Sequence, residues 1–259
     1  MNDFLAQVGE NTAPELEPHK DKTTVGEVDY YHRLTQGSDE WHELRMGMLT
    51  ASTFSKVLTS TLKIADSDAS RTNLYDLAAQ RINPVIEPGF SSFDMERGHT
   101  EECLAKIVYA EHYGAVKDCG FVINNSLGFP VGFSPDGMVG DDGLVENKSR
   151  MNKLQIKTII EGFDGENIAV PKEFMMQVQV GLWVTKRKWC DFISYSNGLN
   201  MFVTRVEPDS AFFEKIEEAA IESERKVTAA IEQFYSALKG AAIRQQPVEY
   251  YNHHEDIVT

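Results

Sequence analysis

Cysteine is scarce in this chain. Cys103, Cys119 and Cys190 are three thiols in 259 residues, widely spaced and without a C-x-x-C pair. A disulfide framework, a four-cysteine structural zinc site and a four-cysteine iron–sulfur cluster are thereby excluded, and the thiols are expected to be small buried hydrophobes. Long apolar runs are missing too. The longest, around Phe174–Val184, is interrupted by Gln177 and Gln179 and falls short of the roughly 20 residues that a membrane span needs, so no membrane partner is expected. The first residues, MNDFLAQVGENTAPELEPHKDK, are acidic and polar, with neither a basic start nor an apolar signal core, and a cytoplasmic setting is expected. Positive charge is in deficit as well. The 25 Lys+Arg against 40 Asp+Glu give a net charge of −15, which argues against a uniformly basic nucleic-acid surface. The average hides a pattern, however: Lys148/Arg150/Lys153/Lys157 and Lys186/Arg187/Lys188 form two local basic clusters on an otherwise acidic chain.

What remains is the balance of an ordinary globular enzyme, 42% hydrophobic and 10% aromatic, long enough to bury a core without staples. Residues 1–28 carry no apolar periodicity and are expected to be a flexible arm; 29–240 are expected to form a single domain and 241–259 a tail. A helix is predicted from Ser38 to Gly47, with Thr50 or Ser52 capping a second. Another is predicted over Met95–Tyr113, with Leu104, Ile107 and Val108 on its apolar face. From Val116 the pattern turns to short strands: Phe121–Asn125, Pro130–Phe133, Gly137–Val139 and Leu144–Lys148, with Gly140–Gly143 as a tight turn. A helix near Lys153–Glu161, one entered at Pro171, strands Cys190–Tyr195 and Phe202–Val206, and a long helix or broken pair over Pro208–Leu238 complete the order. Helices and strands so mixed imply an α/β domain.

The chemistry concentrates in Ser134-Pro135-Asp136-Gly137 and, nine residues after Asp136, Val145-Glu146-Asn147-Lys148. Side chains alternate along a strand, so Glu146 and Lys148 project to one side, where Asp136 at the preceding bend can meet them. Two converging carboxylates call for a cation between them, and hard oxygen ligands suit Mg²⁺ or Mn²⁺. A lysine there either stabilises developing negative charge or, if its pKa is lowered, takes a proton from the attacking water. The set predicts phosphodiester hydrolysis. Each part alone has a bland explanation: an E-x-K triplet is usually a solvated strand face, and Ser-Pro-Asp-Gly is usually only a turn. Glu102, on the helix before the sheet, is a candidate third carboxylate, though a helix Glu is ordinarily surface. Gln179, in the apolar helix, either caps a loop carbonyl or orients the lysine or the water.

The D…E-x-K set, the glutamate helix before it and the glutamine helix after it resemble the PD-(D/E)XK nuclease superfamily, and more narrowly the phage lambda exonuclease, or YqaJ-type viral recombinase, family. Four blocks carry the likeness, in order: Trp41-His42-Glu43-Leu44-Arg45-Met46-Gly47 with Thr50-Ala51-Ser52; Gly98 to Glu102; Ser134 to Lys148; and Gln177-Val178-Gln179 with Trp183-Val184-Thr185. The resemblance implies a restriction-endonuclease-like core, a central mixed sheet flanked by helices. It implies an enzyme that degrades the 5′-ended strand of linear double-stranded DNA to mononucleotides, leaving 3′ overhangs for recombination. Carried over by position, Asp136, Glu146 and Glu102, with the Asn147 carbonyl, would hold Mg²⁺ or Mn²⁺, two ions per site. Lys148 would assist the water, and Arg45, Ser52 and Ser134 would bind the terminal 5′-phosphate, a role a guanidinium fork fills well. Met95 stands where the family places a wedge that splays the duplex end, and Lys63 or Arg71 would supply a further phosphate contact. A ring-shaped homotrimer, a single-strand annealing partner and, for a phage protein, the host cytoplasm are implied too. The competing readings are a structure-specific endonuclease, which needs no terminal-phosphate pocket, and a DNA-end-binding protein with an inert site.

Overall fold

The computed structural model describes residues 22–85, 93–240 and 245–248, with 93–96 as helix backbone only. The side chain of Met95 and most of the expected arm and tail therefore lie outside the described residues. Two five-stranded sheets organise the chain. The first runs β1 (Lys22–Val25), β2 (Val28–Tyr31), β5 (Phe121–Asn124), β6 (Val131–Phe133), β3 (Leu49–Thr50); the second runs β10 (Phe202–Val206), β9 (Trp189–Tyr195), β8 (Gly143–Ser149), β7 (Gly137–Val139), β4 (Val116–Lys117). Both are mixed: β3 lies parallel to β6 and β8 parallel to β9, while the other neighbours are antiparallel. β1 falls inside the stretch expected to be an arm. It pairs with β2, and all four of its residues are exposed, so it extends the sheet edge and adds nothing to the core.

The helices follow the expected order. In α1 (Asp39–Arg45) the Ser38 side chain accepts the amide of Trp41, with Asp39 and Glu40 in the first turn and Arg45 in the last, charges that suit the two ends of a helix dipole. Thr50, not Ser52, caps the short 3₁₀ turn Ala51–Lys56. Four further helices are α2 (Asp68–Ile82), α3 (Phe93–His112), α4 (Asn152–Gly162) and α5 (Lys172–Thr185); α6 (Ser210–Leu238) is one unbroken helix of 29 residues. α5 is the core helix, buried without a break from Val178 to Thr185, and it packs against β5, β6 and β9. A Cβ on its Gly181 would stand 2.8 Å from the Phe133 ring, so glycine lets the helix approach β6.

The face expected for α3 is not the one that packs. Leu104 and Ile107 are exposed, whereas Glu101, Ala105 and Tyr109, at i, i+4 and i+8, are buried against β8 and β9. Small Ala105 permits close approach, and Tyr109 finds a hydrogen-bond acceptor in Asp191, at 2.6 Å, so a polar tip wins over larger apolar side chains.

One feature positions the site. β6 ends at Phe133 in the first sheet and β7 begins at Gly137 in the second, so Ser134-Pro135-Asp136 is the bridge between the sheets. α6 braces the outer side: Arg81 of α2 forms a two-pronged ion pair with Glu224 of α6, at 2.6 and 2.7 Å, while its Nε donates to the Gly47 carbonyl at 2.7 Å. Gly47 has φ +66°, and a Cβ there would lie 2.6 Å from the Arg81 side chain, so only glycine suits the turn leaving α1.

Candidate active site

Asp136, Glu146 and Lys148 meet as the alternation of β8 requires. Glu146 is 1% exposed, and its Oε1 lies 2.6 Å from the Lys148 ammonium; apart from that ion pair, neither carboxylate oxygen takes a hydrogen bond among the described residues. Asp136 Oδ2 accepts the Asn147 amide at 2.6 Å. Burial, together with the charges of Glu146 and Glu102, pushes the Asp136 carboxyl well above the usual carboxylate range, against the opposing pull of Lys148 and the Asn147 amide. Burial alone would lower the Lys148 pKa, yet Glu146, Asp136 and Glu102 outweigh it and raise the value. Three carboxylates thus favour the charged form of the Lys148 ammonium.

Glu102 reaches the site by its field and is tied elsewhere, its Oε1 2.8 Å from Lys106 of the next turn. Its neighbour Glu101 is the buried one and accepts a hydrogen bond from Ser149. Among the described residues no three His, Cys, Asp or Glu side chains converge closely enough to hold a cation by themselves. Mg²⁺ needs no such cage, since it keeps several waters and takes one or two carboxylates plus substrate phosphate. The buried Glu146 carboxylate beside the Asp136 carboxylate, whose proton affinity is raised, fits that requirement, because a divalent cation would relieve the repulsion between the two. The Asn147 side chain alternates to the opposite face, where its Oδ1 is buried without a hydrogen-bond partner among the described residues; its main-chain carbonyl is the candidate ligand.

Gln179 stands apart from the site, contrary to the orienting role weighed for it. Its Nε2 donates to the Glu207 carbonyl at 2.9 Å and its Oε1 accepts the Asp209 amide at 3.0 Å, which fastens the turn entering α6. Gln177 holds the lysine, its Oε1 accepting from Lys148 Nζ at 3.1 Å. Helix geometry carries the signal: Gln177 is three residues from Phe174, over whose ring Lys148 stands at 5.4 Å, whereas Gln179 lies about 200° round from Gln177.

The first sheet contributes a second cluster. The Arg45 guanidinium lies 4.0 Å over the Trp41 ring, and the Trp41 indole donates to Ser134 Oγ at 3.0 Å. Arg45 makes no ion pair or hydrogen bond among the described residues, and burial lowers its pKa. Ser52 follows β3 as Ser134 follows β6, and the parallel register Thr50 to Gly132 brings both serines out of the same sheet end; Ser52 Oγ lies 3.2 Å from Thr50 Oγ1. Arg45 also lines a cavity of about 440 Å³ with Lys56, Thr53 and Asn73. Other basic residues are committed elsewhere: Arg71 to Asp66 and Asp68, Lys188 to Asp142, and Arg187 to the Gly140 and Gly143 carbonyls. Lys63 is exposed.

Residues 40–188 match the YqaJ-like viral recombinase domain. The chain belongs to that family. An alkaline exonuclease from Laribacter hongkongensis (LHK-Exo) is similar, with 30% identity, a TM-score of 0.66, and 78% of this chain and 98% of that one covered. The same exonuclease solved in complex with dAMP gives a TM-score of 0.67 at 30% identity over the same shares. A phage-related exonuclease from Haemophilus somnus 129PT, 11% identical over 74% of this chain and 99% of its own, shares the fold, with a TM-score of 0.53. No curated protein matches by sequence. The fold is the PD-(D/E)XK nuclease fold, and no helix among the described residues is long and apolar enough to cross a membrane.

Proposed function

We propose that this YqaJ-family chain is a divalent-metal-dependent exonuclease that degrades the 5′-ended strand of linear double-stranded DNA, releasing mononucleotides and leaving a 3′ overhang. The observation that carries the reading is the bridge Ser134-Pro135-Asp136. A half-buried guanidinium with no ion pair or hydrogen bond among the described residues leans on the tryptophan that bonds Ser134, and two residues further on comes the half-buried Asp136 carboxylate. Two residue steps of chain span at most about 7 Å, about the reach from one phosphate of a strand to the next. A terminal phosphate held at Arg45 and Ser134 then sets the neighbouring phosphodiester beside Asp136 and Glu146. An endonuclease has no use for such a spacing.

Asp136 and Glu146, with the Asn147 carbonyl, would hold Mg²⁺ or Mn²⁺, and Glu102, now paired with Lys106, would be the third carboxylate. When bound, the cation neutralises phosphate charge and eases loss of a proton from the attacking water. Lys148, kept charged and aimed by Glu146 and Gln177, stabilises the negative charge that develops on the phosphate. Arg45 and the two serines orient the strand end, an effect worth most when the reacting atoms are already close. The dAMP complex of the Laribacter exonuclease is in keeping with a mononucleotide product. A homotrimeric ring, with its cationic residues inward and its acids outward, reconciles DNA binding with the net charge of −15, and a single-strand annealing protein suits the emerging 3′ strand.

Incubation with Mg²⁺ of a linear duplex beside a covalently closed circle, with products separated by chromatography, tests this. Mononucleotides from the linear DNA alone are expected. Nicking of the circle would favour an endonuclease, and light scattering at increasing concentration checks the trimer.

A further inference from the structure

β8 does not end its useful face at Lys148. Arg150 is two residues on, the third member of the series Glu146, Lys148, Arg150 that alternation puts on one side of the strand. Its guanidinium lies 5.0 Å over the Phe174 ring, the same ring over which Lys148 stands at 5.4 Å. Among the described residues its Nε is buried without a hydrogen-bond partner, and Nη2 makes the polar contacts, 3.3 Å to Thr158 Oγ1 and a loose 3.6 Å to Glu173 Oε1. The side chain is 12% exposed while that Glu173 is 60% exposed, so the carboxylate stays largely hydrated and leaves the arginine's charge largely unmatched. Two cations sharing one aromatic ring, one of them a largely buried fork with a donor left open, form a seat for an anion.

We infer that Arg150 binds the backbone phosphate next to the scissile one, on its 3′ side, in the strand being cut. The inference rests on the exonuclease reading for the direction of the strand. Arg45 and Ser134 take the 5′ end on one side of the carboxylates, and Arg150 lies beyond Lys148, one residue past the end of β8, where its amide still donates to the Tyr195 carbonyl at 2.7 Å. Phe174 keeps the guanidinium flat and dry beneath the strand, and Ser149, fixed by Glu101, holds the intervening backbone. Strand and phosphate are thereby gripped on both sides of the bond that breaks.

The test replaces single phosphates by uncharged methylphosphonates at successive linkages from a 5′-phosphorylated end and measures duplex binding by fluorescence anisotropy in Ca²⁺, so that no turnover is required. Wild-type protein is expected to bind about tenfold more weakly when the second linkage is neutral, the size of one charge-assisted phosphate contact. Arg150→Met should bind the two duplexes alike, with a salt slope smaller by about 1. Arg150→Lys, which keeps the charge and loses the fork, should fall between them. Should Arg150→Met melt early, Arg150→Lys alone decides. Wild-type discrimination persisting in the Arg150 variants, or absent from wild type at that linkage, overturns the inference. A protein that cuts no DNA overturns the exonuclease reading, while the binding series still judges Arg150.

Discussion

The two sheets meet DNA chemistry in opposite ways. At the second sheet the charged groups are already engaged before any substrate arrives: Glu146 in an ion pair with Lys148, and by hydrogen bonds Lys148 with Gln177 and Asp136 with the Asn147 amide. Beside the first sheet, Arg45 of α1 stands on an aromatic ring with no anion paired to it among the described residues. The difference teaches where each cluster's energy goes. The carboxylate corner is strained toward a divalent cation by its own repulsion, while the arginine end is a receptor for an outside phosphate. The bridge of Ser134, Pro135 and Asp136 fixes the distance between them.

Breaking the corner should have the largest effect. Lys148→Ala is expected to lower cleavage by about 10³-fold while end binding stays within a few fold, because charge stabilisation matters most in the transition state; single-turnover kinetics beside anisotropy would show it, and wild-type rates would remove Lys148 from the chemistry. Arg45→Ala should instead leave the chemical step nearly intact and erase the preference for a phosphorylated over a hydroxylated 5′ end, a change of about 10- to 100-fold read as a KM ratio. If that preference survives, the contrast between the sheets collapses.

The two glutamines of α5 sharpen the same contrast. Gln177→Ala frees Lys148 and should lower kcat by about tenfold with little change in stability. Gln179→Ala should lower stability by about 1 kcal/mol, since it removes two part-buried hydrogen bonds that hold the turn entering α6, and should leave kcat of the folded protein unchanged. Denaturant melts paired with initial rates separate these. The smallest effect expected is at the thiols. Burial pushes Cys119 up to about 11 and Cys190 also well up, whereas Cys103 is exposed, so native protein at pH 8 should show one fast-reacting thiol with a chromogenic disulfide; three would mean an open core.

Most of the strands and helices were legible because their signals are local. Gly140–Gly143 is a turn wherever it stands, and Pro171 opens a helix. The Asp136, Glu146, Lys148 corner was legible because strand alternation fixes which side chains meet. Three things were not. The packed face of α3 depends on a tertiary partner, Asp191, that draws Tyr109 inward. The choice between Gln177 and Gln179 needed the position of Phe174 under Lys148. The protonation of Lys148 depends on three carboxylates summed in space, one of them on another helix. Arg150 was visible as part of a basic cluster, but its shared aromatic ring is a fact of packing.

The most direct measurement uses one linear duplex with a phosphate on one 5′ end and a hydroxyl on the other, each strand separately labelled, digested in Mg²⁺. The account predicts that the strand with the 5′-phosphate is lost first, one nucleotide at a time from that end. Equal loss of both strands, or cuts beginning inside the duplex, would contradict it.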